Sequence, residues 1–321
     1  MTTAHAHPAL VTLGDVLASL TSAVPGPLVR GGGLAVRVAG AEANTAIGVS
    51  RLGVPAAWQG VLSSDELGDL ITRELRAEGV TVHARRAPEP TGLLIRTLRT
   101  AERSTVAYYR AGTAGTTLLP EDLDLDAVRR AGLLHVSGIT PALGPGPAEA
   151  VRTAVRAAVA AGVPVSTALN HRQRLWSEGR ARPELTWLVR HSAVVFASAA
   201  EARLVLGKDL PADAAAAALA GLGPEEVLVS DGGGALGVYA GGLARLHHPT
   251  ARTVVDTVGA GDSLAAGYLA ARLRGLPLAE RIRIALATAR HAVTTVGDWD
   301  GLPTWDEVAA QDDRQTDDIT R

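Results

Sequence analysis

Short apolar runs alternate with Ala-rich segments of helical period along this chain, and few folds accept that rhythm. Residues 9–13, 133–137, 163–167, 193–196 and 227–230 are brief runs rich in Val and Leu. Strands read this way when helices cover both faces of a parallel sheet. Between them lie amphipathic stretches such as 147–161, and 43–52, where Ala43, Ile47 and Ser50 share a stripe and Gly53 follows as a C-cap. The pattern predicts an α/β fold with a doubly wound, mostly parallel sheet flanked by helices. Two stretches break the rhythm. Residues 27–38 and 92–109 carry Arg within an alternation typical of a sheet with one wet face, and read as longer strands of a small β-sheet lid inserted into the α/β body. One domain over 1–310 is expected, with lid strands inserted at about 15–39 and 88–112. The polar tail 311–321 is expected to be disordered. Residues 212–220 read as an ordinary Ala-rich helix, and no repeat of solenoid period is visible.

With 321 residues and 47% apolar content, the chain has enough material for a large buried core. Its formal net charge of -2 gives no global attraction to nucleic acid or to an anionic membrane, so neither is expected as a partner. Positive charge is almost entirely Arg, with Lys208 the one lysine, so an anionic substrate calls for a local Arg cluster. The absence of cysteine excludes a disulfide framework and thiolate metal sites, and points weakly to a reducing compartment. Residues 9–24 are apolar but interrupted by Asp15, without a basic leader or cleavage pattern, and no run is long enough to span a bilayer. A cytoplasmic enzyme or binding protein is the expectation.

The segment with most chemistry is Asp256-Thr-Val-Gly-Ala-Gly-Asp262, which follows a strand-like stretch at 253–255 and opens a run of helical spacing. Gly259 and Gly261 permit a tight turn and close backbone approach, so the unpaired N–H groups of the first helical turn, Ala260 among them, face the loop. Such a tip carries partial positive charge and binds anions. A carboxylate there, Asp262, can take a proton from an attacking hydroxyl while the amides hold a phosphoryl group. Taken as bare residues, an aspartate at a helix start is as readily an N-cap, and Gly-x-Gly only a turn. Other phosphate loops fit worse: there is no Gly-x-x-x-x-Gly-Lys-Ser/Thr, Leu264 stands where the dinucleotide fingerprint needs its third glycine, and no protein-kinase catalytic loop occurs.

Residues 256–263 resemble the C-terminal signature of the ribokinase-like (PfkB) carbohydrate kinases. Gly40-Ala-Glu-Ala-Asn44 with Ala46 and Arg51-Leu-Gly53 resembles the N-terminal motif, and 60–68 the segment after it, so the resemblance spans nearly the whole chain. It implies an α/β domain closed by a β lid, ATP and Mg2+ as cofactors, Asp262 as catalytic base, and Gly259, Ala260 and Gly261 as anion hole. Within the family, Thr91-Gly92, Tyr108-Tyr109-Arg110, residues 134–143, Asn170-His-Arg172 with Trp176, and Gly297-Asp298 with Gly301-Leu-Pro303 look most like 2-keto-3-deoxygluconate kinases. The resemblance places Tyr108, Arg110 and Arg172 around a sugar-acid carboxylate, which Arg grips through paired charge-assisted bonds. It puts Asp15, Gly40, Asn44 and Asn170 around the sugar. Read from residues alone, an Arg on a strand is a solvated face, Tyr108 or Tyr109 must point to a core by alternation, and Trp176 packs.

For the nucleotide, the resemblance points to Ser198, Ser230, Gly232, Gly234 and Gly261; a glycine-rich hairpin turn is the plainer reading of 230–234. Glu201 corresponds to the residue that organises the waters of Mg2+, and Asp256 to a monovalent cation loop, hence possible K+ dependence. Ala39, Ala168, Ser198 and Asp231 depart from the usual Gly, Asp, Asn and Gly, which puts the sugar and the metal affinity in doubt but leaves the catalytic loop untouched. The expected reaction is phosphorylation of 2-keto-3-deoxygluconate at its 6-hydroxyl. The alternatives are a kinase for a neutral ketose, ribose or nucleoside, and a silent sugar-binding protein. A homo-oligomer through the lid is the expected assembly. The histidines, His247 and His248 included, lack metal-ligand spacing and read as structural or surface.

Overall fold

The structure, a computed structural model, describes residues 8–22, 24–98, 104–232, 234–247 and 254–309. The chain opens with β1 (Leu10–Leu13), β2 (Leu17–Ser22), β3 (Leu34–Ala39), α1 (Ala41–Arg51), β4 (Ala56–Ser63), α2 (Glu66–Ala77) and β5 (Thr81–Ala87). It continues through β6 (Leu93–Leu98), β7 (Ser104–Tyr109), α3 (Leu125–Arg130), β8 (Leu133–Ser137), α4 (Pro145–Ala160), β9 (Val165–Ala168) and α5 (Glu178–Arg190). The last part holds β10 (Val194–Ser198), α6 (Ala199–Leu206), α7 (Ala212–Ala220), β11 (Glu226–Ser230), β12 (Leu236–Ala240), β13 (Leu243–His247), α8 (Ala260–Leu273), α9 (Leu278–Ala292) and α10 (Trp305–Ala309).

Nine strands form the main sheet in the order β13-β12-β11-β10-β9-β8-β1-β4-β5. From β11 to β5 every pairing is parallel; β12 and β13 add an antiparallel edge. Period two explains the apolar runs. Along β10, Val194 and Phe196 enter one apolar cluster, with Trp58, Tyr268 and Ile284, while Val195 and Ala197 enter the other, with Val151, Leu185 and Leu219. Both faces are covered, so the sequence shows no polar alternation. The chain leaves β1 toward β4 on one side and reaches β8 on the other, which opens a crevice at the carboxyl ends of β1 and β8, where doubly wound sheets bind ligands.

The second sheet has four strands in the order β3-β2-β6-β7. Here the strand expectations need correction. The strand expected over 27–38 begins only at Leu34 and pairs with β2, because Pro25, Pro27 and the left-handed Gly31 cannot continue a ladder. The stretch 92–109 is two antiparallel strands, β6 and β7, in register Leu94 to Tyr108. No strand occupies Val254 and Val255, and Thr253 lies outside the described residues. The N–H groups of Val255 and Asp256 both reach the Val293 carbonyl (2.8 and 3.1 Å), a single attachment to the end of α9 in place of a ladder. The tail 311–321 lies outside the described residues.

Candidate active site

The crevice lies between the small sheet and the loops and helix ends of the main body. Leu17, Ala39, Leu94, Arg96, Val106 and Tyr108 come from the small sheet and Arg110 follows directly on β7; Gly40, Asn44, Arg172, Gly259, Asp262 and Asp298 belong to the main body. Register explains the first group: Leu94 pairs Tyr108 and Arg96 pairs Val106, so all four share one face. The expectation that Tyr108 or Tyr109 enters a core is therefore corrected. Tyr108 looks into a cleft and Tyr109 away from it, and both are exposed, since the inner face of this sheet covers a crevice in place of packed side chains.

Asp262 is the third residue of α8, whose N-cap is Gly259 with no side-chain cap. The N-cap reading of Asp262 thus fails. Its carboxylate accepts instead from Asn44 Nδ2 (2.9 Å) and Asn170 Nδ2 (3.4 Å), which aim it across the cleft. Burial pushes its pKa above the ordinary carboxylate range, opposed by the Asn44 hydrogen bond and the Arg172 charge. Gly259 has φ +75, and a Cβ there would stand 2.0 Å from the Asp298 carbonyl oxygen, so glycine is required. Around Gly261 nothing lies within 4 Å of a Cβ position: that side of the helix tip faces open space, where first-turn amides meet an anion.

Asn44 is itself held by the Gly40 N–H, 3.4 Å from its Oδ1. Asn170 has φ +41, the one left-handed non-glycine among the described residues, and such strain concentrates at functional sites. Arg172 beside it is exposed at the rim. Arg110 stacks on the Tyr108 ring with its guanidinium carbon 4.9 Å from the centroid, and its Nε lies 3.5 Å from Asp15 Oδ2. Both of those atoms are buried without a hydrogen-bond partner. Asp15 sits below the cleft surface, its pKa raised by burial and restrained by Arg110.

The expected nucleotide and metal residues are more dispersed. Ser198 and Glu201 form a capping box on α6, and Glu201 Oε1 also accepts the His171 N–H at 2.8 Å, tying α6 to the loop that carries Asn170. Each Glu201 oxygen keeps a lone pair, so it fits a role toward Mg2+ through water, and its charge is felt at Asp262. Among the described residues no three His, Cys, Asp or Glu side chains converge as a metal site. Ser230 ends β11, and Gly232 and Gly234 lie in the turn joining it to β12, shaped by Asp231, whose carboxylate accepts the Ala235 N–H at 2.9 Å. They do not line the cleft around Asp262.

Asp256 does not fit a K+ ligand. Its Oδ1 accepts from Arg96 Nη2 (2.9 Å) and the Val258 N–H (3.1 Å), and its Oδ2 from Arg96 Nη1 and the Gly297 N–H (3.2 Å). All four lone-pair sites of the carboxylate are occupied.

Three site features escaped the sequence reading. Arg96 was one of several strand arginines, and Asp298 only part of a motif; only pairing and packing bring them into the cleft. Burial, with the neighbouring Asp262 charge, pushes Asp298 up to about 7, against the pull of Arg96. Glu42, in α1, is 1% exposed and accepts from Ser137 and Thr140 hydroxyls, both at 2.7 Å, fastening α1 to the end of β8 and the turn that follows it.

An open helix tip beside a partly buried carboxylate, in the crevice of a doubly wound sheet under a small β sheet, is an arrangement suited to a phosphotransferase acting on a hydroxyl. The chain belongs to the pfkB family of carbohydrate kinases, whose profile matches residues 8–305. It is an ATP-dependent sugar kinase. It is 34% identical over 307 residues to the 2-dehydro-3-deoxygalactonokinase of Haloferax volcanii, covering 90% of this chain and 92% of that one. With the 2-dehydro-3-deoxygluconokinase of Bacillus subtilis the identity is 32% over 305 residues, covering 94% of each. A probable fructokinase of Arabidopsis thaliana is 30% identical over 310 residues, covering 93% and 95%. The crystal structure of the Thermotoga maritima 2-dehydro-3-deoxygluconokinase superposes with a TM-score of 0.85 at 27% identity, covering 94% of this chain and 98% of that one.

Proposed function

We propose that the chain transfers the γ-phosphoryl group of Mg-ATP to the primary hydroxyl of a 2-keto-3-deoxy sugar acid, giving its 6-phosphate. The observation that carries this reading is Arg110 and Arg172 in one cleft with Asp262. Two guanidinium groups suit a substrate carboxylate, and the base and helix tip suit a hydroxyl of the same molecule. Asp15, Gly40, Asn44, Asn170 and Tyr108 surround the sugar between them.

In the reaction, Asp262 accepts the proton of the attacking hydroxyl as its oxygen bonds to the γ-phosphorus and the bond to ADP breaks. The amides of Gly259, Ala260 and Gly261 take up the charge that develops on the phosphoryl oxygens. The raised pKa of Asp262 makes it a stronger base than an exposed aspartate. Glu201 would order the waters of a bound Mg2+, which would supply neutralising charge to the phosphates, and the turn after β11 with Ser198 would receive the nucleotide. The exposed outer face of the small sheet, with Leu34, Val36 and Tyr109, suits pairing of two copies. Among the described residues no helix is long and apolar enough to cross a membrane, and a cytoplasmic location is part of this proposal.

The fructokinase relative favours a second reading, a neutral ketose as acceptor. A coupled ADP-release screen over sugar acids, ketoses, pentoses and nucleosides decides between them: the leading reading expects turnover highest on the keto-deoxy acid. In Arg172→Ala, kcat/KM should fall about 100-fold or more on acids, as for loss of a charge-assisted contact, while any ketose activity is spared. Preference for fructose, or equal loss on both acceptors, would overturn the assignment.

A further inference from the structure

Arg96 is a cleft residue that the reaction leaves unexplained. It stands on β6 of the small sheet, yet its guanidinium forks onto Asp256 of the main body, with the two side chains 11% and 3% exposed. Asp256 lies at the root of the catalytic loop, three residues before Gly259. Through its other two acceptor positions it also fixes the Val258 N–H within that loop and the Gly297 N–H beside Asp298. One carboxylate thus joins the small sheet, the run into the helix tip and the loop behind Gly259. A monovalent cation seeking this carboxylate would find no free lone pair and a permanent positive charge already in contact. Guanidinium differs from such an ion in two ways: it fixes the orientation of the carboxylate through paired bonds, and it is covalently part of the sheet over the cleft.

We propose that Arg96 is a positioning residue that supplies, from the small sheet, the positive charge a monovalent cation would bring to Asp256. It orders the phosphate-holding loop when the sheet is seated, and phosphoryl transfer needs no K+. The inference rests on the kinase reading but not on which sugar is the acceptor.

The test measures turnover of the full chain with Mg-ATP, on the best acceptor of the screen, in KCl, NaCl and tetramethylammonium chloride at equal ionic strength. Thermal unfolding midpoints in the same salts are a readout independent of catalysis. Wild type should give equal kcat and equal midpoints in K+ and tetramethylammonium. Arg96→Ala should lose kcat about 10- to 100-fold, as for a misplaced reacting group, with a smaller change in KM. Millimolar guanidinium or K+ should restore part of that kcat, and K+ alone of the three salt cations should raise the variant's midpoint. Arg96→Lys, which keeps the charge without the fork, should fall between and covers the case in which the alanine variant does not fold. Wild-type turnover that collapses without K+, an alanine variant with undiminished kcat, or a loss that neither cation repairs would each overturn the proposal. Should no acceptor be phosphorylated, the kinase reading fails separately, and a K+-specific rise in the wild-type midpoint would still refute the assignment of Arg96.

Discussion

Asp262 shows how a side chain gains a role from its neighbours. At a helix start it had a structural use available, yet Gly259 takes the N-cap position and two asparagine amides turn the carboxylate outward. Asp262→Asn should fold normally and bind ligands, but lose several orders of magnitude in kcat, measured by ADP release. Because burial raises its pKa, the acidic limb of the wild-type kcat/KM profile should lie above the ordinary aspartate range near 3.8. Asp298 is a separate case, with a pKa of about 7 in the fold against 3.8 as the ordinary value. A raised carboxylate binds its proton more tightly folded than unfolded, so the stability it gives is full below 3.8 and is lost as pH rises through 7. Asp298→Asn should therefore gain in thermal midpoint relative to wild type between pH 5.5 and pH 8.5, by ~2 °C or more in a calorimetric series. A constant gap would deny the shift.

At the scale of elements, the tip of α8 combines two glycines with different reasons for being glycine. Gly259 needs its left-handed backbone and its contact with the Asp298 carbonyl; Gly261 has neither constraint and looks onto open space. Gly259→Ala should lose about 2 kcal/mol or more of stability by urea unfolding, from strain and overpacking. Gly261→Ala should keep its stability and, on the proposed mechanism, lose turnover, because the new methyl would enter the open space proposed for the phosphoryl group. Equal loss of stability in both variants would contradict this division. Much of the element level was legible. The glycine spacing at 256–262 announced a turn opening a helix, with a cap and an anion site both open as readings, and the parallel strands announced themselves as apolar runs. The small sheet was read less well, since Arg, Tyr and Gly on a thin sheet over a cleft give no core-facing alternation to follow.

Across the whole molecule, ion pairs fasten layers that hydrophobic packing alone would leave free to slide. Glu226, at the start of β11, accepts from Arg281 Nη1 (2.8 Å), Tyr268 Oη (2.9 Å) and Arg272 Nε (3.1 Å), linking the main sheet to α8 and α9. Glu226→Gln leaves two half-buried guanidinium groups short of their anion and should lower stability by about 3 kcal/mol, measured by urea unfolding, with little change in kcat. Unchanged stability would show that this network only decorates packing that suffices alone. By itself the sequence determined the doubly wound sheet, the glycine-bracketed helix tip and the aspartate on it, because periodicity and backbone freedom are local properties carried by neighbouring residues. Only the tertiary structure decided which way Asp262 turns, that Asp256 is already engaged by Arg96, and that Asp298 stands near Asp262. Those are contacts between segments up to 218 positions apart, and their energies depend on burial and pairing, which local sequence does not encode.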